Sequence, residues 1–109
     1  MTVNDLLEKV NDFSGVVLSE PEREIQGVYI GDLLSWVMGK AQSGDAWITI
    51  MSNVNTLAVA TLADTACIVL AEGVSLDDGV KETAEEKGIN VISTSLSAYE
   101  AAVKLHQVL

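Results

Sequence analysis

Apolar residues along this chain follow two rhythms that alternate at intervals of about ten residues. Val3, Leu6, Leu7 and Val10 recur at helical spacing, which predicts a helix with one buried face. Thr2 heads it, and Thr2-x-x-Asp5 has the form of a capping box, with Asp where Glu or Gln is usual. Asn11 to Gly15 break the pattern, and Val16-Val17-Leu18 reads as a short strand. Pro21 keeps Glu20 away from helical angles, so Ser19 to Glu22 is a turn. Glu24 to Ile30 reads as strand, with Gly27 a weak point of the kind that marks a bulge or a close backbone approach.

At Gly31-Asp32 the period changes without a loop. Leu33, Leu34, Trp36 and Val37 bury one side of a helix that Asp32 caps by position and that Gly39 or Gly44 closes. Ala46 to Met51 is a strand, and Thr56 to Leu62 is a short helix, apolar almost all round. Ala66 to Leu70 is wholly apolar, the mark of a central parallel strand. Ser75-x-x-Asp78 predicts the cap of a helix over 76–87, stopped at Gly88. A strand over 89–92 and a helix over 96–108 complete the chain, with Ser97 and Glu100 forming a second capping box.

From residue 28 onward strand and helix alternate with short links, which implies right-handed crossovers. The predicted fold class is α/β: a three-layer sandwich with a mainly parallel sheet of about five strands between two helical layers, the first strand pairing at an edge. A chain of 109 residues makes one domain, 1–109. With 49% apolar residues it buries a core without disulfide staples.

Sixteen acidic residues stand against six basic ones, for a formal net charge of −10. Such a chain repels nucleic-acid phosphates and anionic lipid heads, so both are excluded as partners. The single cysteine, Cys67, lies in an apolar run and reads as a small buried hydrophobe. A free cysteine, no signal core and no apolar run long enough to span a bilayer give a cytoplasmic expectation.

Three polar junctions follow strands: Gly31-Asp32 with Ser35, Ser52-Asn53 with Asn55, and Ser93-Thr94-Ser95. In a parallel sheet these carboxyl ends share one edge, where α/β proteins bind ligands. The same residues also cap helices, which every helix start needs. Asp32 repels free phosphate and suits a hydroxyl, a cationic group or a metal-bound ligand. If a ligand site exists, Gly27, Gly31, Asp32, Ser35, Ser52, Asn53 and Asn55 are its candidates, the glycines allowing close approach. Neither a dinucleotide-binding nor a P-loop glycine pattern is present. One Cys and one His do not make a zinc site, and no acidic spacing resembles a calcium loop. No metal and no cofactor is expected, and no catalytic set. His106 has polar neighbours and is expected to face solvent. Trp36, Met38, Met51 and Leu57 are candidates for a dimer interface, with core packing as the equal alternative for Trp36.

The stretch Glu22 to Val37 resembles the signature of the DRTGG domain family, as do Ala46-Trp47-Ile48-Thr49-Ile50, Asn55, and Ala66 to Gly73. The likeness spans essentially the whole chain, which looks like a stand-alone copy. It departs where family members tend to show Thr-Gly-Gly; here Gln26-Gly27-Val28 stands. The resemblance implies a fold similar to the N-terminal domain of HPr kinase/phosphorylase. In larger proteins such domains sit beside CBS domains, phosphotransacetylases or pyrophosphatases as dimerisation or regulatory pieces. Stand-alone members resemble proteins encoded near iron-only hydrogenase and sensor-kinase components. No catalytic residue comes with the family. The expected function is a non-enzymatic, homodimeric regulatory module that senses a small metabolite or nucleotide, or binds a protein partner. A purely structural adaptor is the first alternative and a hydrolase or transferase the last.

Overall fold

The computed structural model describes residues 1–109. Helix α1 (Val3–Lys9) opens on the expected capping box: Thr2 Oγ1 accepts from Asp5 N–H, and the Asp5 carboxylate accepts from Thr2 N–H, both at 3.0 Å. Strand β1 (Phe13–Leu18) starts inside the stretch expected to be a break. Its pairing slips between Gly15 and Val17. A bulge adds one residue to one side of a ladder, so side chains beyond it point to the opposite face. Phe13 and Val17, four residues apart, accordingly enter different cores. Val16 to Leu18 form strand as expected, at the sheet edge; the bulge hid the half before them, because it breaks the two-residue period by which strands are read.

Strand β2 is Gly27–Ile30, shorter than the expected 24–30. The residues before it pair with the amino terminus instead: Glu24 bridges to Thr2, and Ile25 N–H donates to Met1 O. Helix α2 (Leu34–Lys40), strand β3 (Asp45–Thr49), helix α3 (Val54–Ala63), strand β4 (Cys67–Leu70), helix α4 (Asp78–Lys87), strand β5 (Asn90–Thr94) and helix α5 (Ala98–Val108) follow. The Ser97–Glu100 capping box forms as expected. The Ser75–Asp78 box does not: α4 starts after Asp77, with no side-chain cap. Gly39 lies within α2 rather than closing it, and the helix ends at Ala41. Gly44 serves the next turn, at φ +84°, where a Cβ would press within 3.1 Å of Gln26.

The sheet order is β1-β5-β4-β3-β2, parallel throughout except for β1, which runs antiparallel to β5 at one edge. Strands β2 to β5 lie side by side in chain order. Right-handed crossovers between strands that always step the same way put every connecting helix on one face. Hence α2, α3 and α4 cover one side, over Trp47, Ile68, Leu70 and Val91. Helices α1 and α5 cover the other, over Ala46, Ile48, Val69 and Ile92. The central strands β3 and β4 are buried along their whole length. The fold is thus the expected three-layer α/β sandwich with five strands.

This topology has a consequence for ligands. Doubly wound sheets open a crevice where strand order reverses. Here the parallel run never reverses, so no crevice opens between β2 and β3.

Candidate functional site

The carboxyl edge of the sheet gathers the ends of β2, β3, β4 and β5 and the beginning of the antiparallel β1. At the β2–β3 corner the predicted cluster is held together mostly by its own hydrogen bonds. Gly31 O accepts from the Trp47 indole at 2.8 Å. Asp32 does not cap α2, whose N-cap is Leu33 with no side-chain bond. Instead Asp32 Oδ1 accepts from Thr49 Oγ1 at 2.8 Å and from Ile50 N–H at 3.0 Å, latching the β2–α2 turn to the end of β3. Asn53 caps α3, its Oδ1 accepting from Asn55 and Thr56 N–H. Only the outer Asp32 oxygen and the side chains of Ser35, Ser52 and Asn55 remain without protein partners. No cavity opens among them.

Gly27 is not part of this corner. It begins β2 opposite Asp45, at the amino edge, one strand length from Gly31. A Cβ there would meet Asp45 Oδ1 at 2.7 Å. That carboxylate is buried and accepts from Gln42 N–H through its other oxygen. Gly27 therefore makes room for Asp45. Leu57, proposed for an interface, is fully buried in the core beneath α3 and cannot contact a partner. Trp36 and Met38 are exposed, Met51 half-buried.

The cavity at the carboxyl edge lies farther along, a cup of about 450 Å³ between β1 and the loops after β4 and β5. Ser93, Thr94 and Ser95 supply one wall, as the sequence suggested; Asn11, Asp12 and Ser14 supply another, and Gly73, Val74 and Ser75 the third. The first two walls meet because Phe13 pairs with Thr94. Glu72 and Gly73, both with positive φ, fold the third wall inward. Their N–H groups donate to Leu96 O and Thr94 O, which pins that loop to β5. Thr94 Oγ1 accepts from Leu96 N–H. The hydroxyls of Ser14, Ser75, Ser93 and Ser95 have no protein partner. Lys104 Nζ lies 3.6 Å from Asp12, so the one carboxylate of the cup carries its own counter-charge. Sequence reading missed the second wall because the bulge concealed the first half of β1, and the third because its turn at Glu72 and Gly73 is pinned by residues of the β5 end more than twenty positions away.

Two other hollows exist. A smaller one at the amino edge, about 170 Å³, includes Arg23 and Asp64. Arg23 and Ser43 both donate to the Asp64 carboxylate, and these hydrogen bonds, Arg23 first, hold it below its ordinary pKa. The other is a groove of about 570 Å³ between β2 and the end of α5, where exposed His106 lies. His106 is nine residues past the helix cap Ser97, or roughly 13 Å along α5, and no serine of the cup has it as a base. No three His, Cys, Asp or Glu side chains converge to hold a metal. Burial pushes the Cys67 thiol up to about 12. No helix is long and apolar enough to cross a membrane.

Comparison with solved structures finds a fold match to the CBS and DRTGG domains of the regulatory region of Clostridium perfringens pyrophosphatase, complexed with its activator, diadenosine tetraphosphate. The TM-score is 0.75 at 16% identity, covering 99% of this chain and 47% of the other, so this chain spans about half the length of that regulatory region. No curated protein matches the sequence. The DRTGG domain family matches residues 9–108, from the end of α1 to the end of α5. The chain belongs to the DRTGG domain family.

Proposed function

We infer that this chain is a non-catalytic regulatory domain that binds a small polar metabolite or nucleotide at the carboxyl edge of its sheet and acts as a homodimer. The observation that carries the reading is the cup beside β5, where four serine hydroxyls converge without protein partners and the only carboxylate is balanced by Lys104. A pocket with convergent free polar groups is the default binding-site hypothesis. Hydroxyl-rich, nearly neutral walls on an acidic protein favour the sugar or ribose part of a ligand over a bare phosphate. The similar pyrophosphatase region, with its nucleotide activator, supports the nucleotide class. Strands lie about 4.8 Å apart, so β5 and β2 ends are roughly 14 Å apart, and an extended ligand held in the cup reaches Gly31, Asp32, Ser35, Ser52, Asn53 and Asn55. The resemblance to stand-alone relatives supports iron-only hydrogenase regulation as the setting, inside a reducing cytoplasm.

A thermal-shift panel of nucleosides, nucleotides with and without Mg²⁺, and sugars tests this. A ligand at a hundred times its dissociation constant adds about 2.7 kcal/mol. For a domain of this size that is a rise of more than 10 °C. Ser95→Ala and Ser93→Ala should weaken the response. Asp32→Ala should weaken it only if the ligand extends to the β2–β3 corner. A flat panel would remove the sensor reading and leave the structural adaptor, which the exposed apolar residues Trp36 and Leu62 on α2 and α3 favour.

A further inference from the structure

Charge is distributed unevenly over this molecule. Between Leu33 and Ala63 only Lys40 and Asp45 are charged, and Asp45 is buried. That segment contains α2 and α3, adjacent helices of the same layer. Helix α3 has no charged residue at all. Its outward stripe is Val54, Ala58, Thr61 and Leu62, with Val54 51% and Leu62 71% exposed. On α2 the outward residues include Trp36, 60% exposed, and Gly39, over which nothing lies within 4 Å. The next helix, α4, presents Asp78, Glu82, Glu85 and Glu86 to solvent. A protein of net charge −10 therefore carries one outer face, two helices wide, on which Lys40 is the only charge, with Asp32 and Asp64 at its borders.

We propose that this α2–α3 face is where a second copy of the chain docks. The proposal rests on the homodimeric reading above and gives it a surface. Two copies of this chain bring −10 against −10 wherever they meet. Exposed charges within about 8 Å of one another are not screened at physiological salt. The face between Leu33 and Ala63 is where apolar contact forms without setting carboxylate against carboxylate. Its shape suits self-pairing: Trp36 and Leu62 project, while Gly39 and Ala58 leave hollows. Its charge does as well. Trp36 is four residues from both Asp32 and Lys40, so antiparallel crossing of the two α2 helices beside Trp36 directs each Lys40 toward the partner's Asp32. Lys40 already lies 5.2 Å from the Trp36 ring, inside the same patch.

The face is small. Helix α3 is 10 residues, about 15 Å long, and two helices are about 20 Å wide, which gives on the order of 300 Å² per copy against ~800 Å² in a standard interface. Association is therefore expected in the micromolar to millimolar range. Sedimentation velocity should follow the whole chain from about 1 μM to about 1 mM. The wild type should move from monomer to dimer. Trp36→Glu, and separately Ala58→Arg on the other helix, should raise the dissociation constant at least about tenfold. Tyr99→Glu, at an exposed position on the opposite layer, should leave it unchanged. Circular dichroism establishes that each variant is folded, and either helix alone suffices for the test. A dimer that survives both substitutions overturns this surface while leaving the homodimer intact. A wild type monomeric at the top concentration overturns surface and homodimer together.

Discussion

Asp32 shows how one residue type serves two readings. At a strand–helix junction an aspartate is expected to cap the helix, and its exposed carboxylate invites a ligand. In the structure it does neither job first: one oxygen binds Thr49 and Ile50 and ties two strand ends together. Gly27 is similar, a glycine kept for the space Asp45 needs. Long-range partners of this kind are not written in local sequence. Cys67 is the opposite case, since its apolar neighbours already announce burial. The structure buries it on β4, in the core beneath α1 and α5, and raises its thiol to about 12 by desolvation. The thiolate is the reactive form, so at pH 8 the folded protein should be inert to a thiol reagent such as DTNB. The reagent should react with one equivalent only after unfolding in denaturant. Fast labelling of the native protein would mean that β4 opens far more readily than its packing implies.

Elements were legible where periodicity and caps agreed, and illegible where a distant strand decided the outcome. Helices α1, α3 and α5 and strands β3 to β5 all follow from spacing in the chain. Strand β1 was read only from Val16 to Leu18, because its bulge breaks the alternation between Gly15 and Val17. The wall of Asn11, Asp12 and Ser14 was lost with its first half. Helix α3 tests the value of a cap most cleanly. It is apolar, uncharged, and lacks any acidic residue in its first turn, so Asn53 alone satisfies its leading N–H groups through a side chain. Asn53→Ala should cost about 1 kcal/mol in chemical denaturation. Asn53→Gly should cost only a few tenths, because glycine lets water reach the same groups. A loss well above 2 kcal/mol would mean that Asn53 also holds the β3–α3 junction in place. Loss of ligand response in Asn53→Ala, with the fold intact, would extend the binding site to this corner.

At the scale of the whole molecule, the balance of charge decides how the protein responds to salt. The chain spans only 30 × 27 × 24 Å. The screening length is about 30 Å at 0.01 M ionic strength and about 8 Å at 0.15 M. In dilute buffer each carboxylate therefore feels nearly every other, and in physiological salt only its neighbours. Two effects then compete. Salt weakens the three ion pairs, Met1 with Glu24, Arg23 with Asp64 and Lys104 with Asp12. Each joins partly or fully exposed groups, and pairs of that kind contribute about 0–1 kcal/mol. Salt also screens the mutual repulsion of sixteen acidic residues that only six basic ones offset. Repulsion acts over the whole surface and destabilises the compact state. It outnumbers the pairs, so the thermal midpoint should rise between 0.01 and 0.15 M NaCl as repulsion beyond about 8 Å is screened out, and level off above that. The dimer should tighten over the same range, because screening acts on two copies as it does on one. A midpoint that falls with salt would place the three pairs above the net charge. It would also remove the electrostatic reason for docking through the carboxylate-poor α2–α3 face.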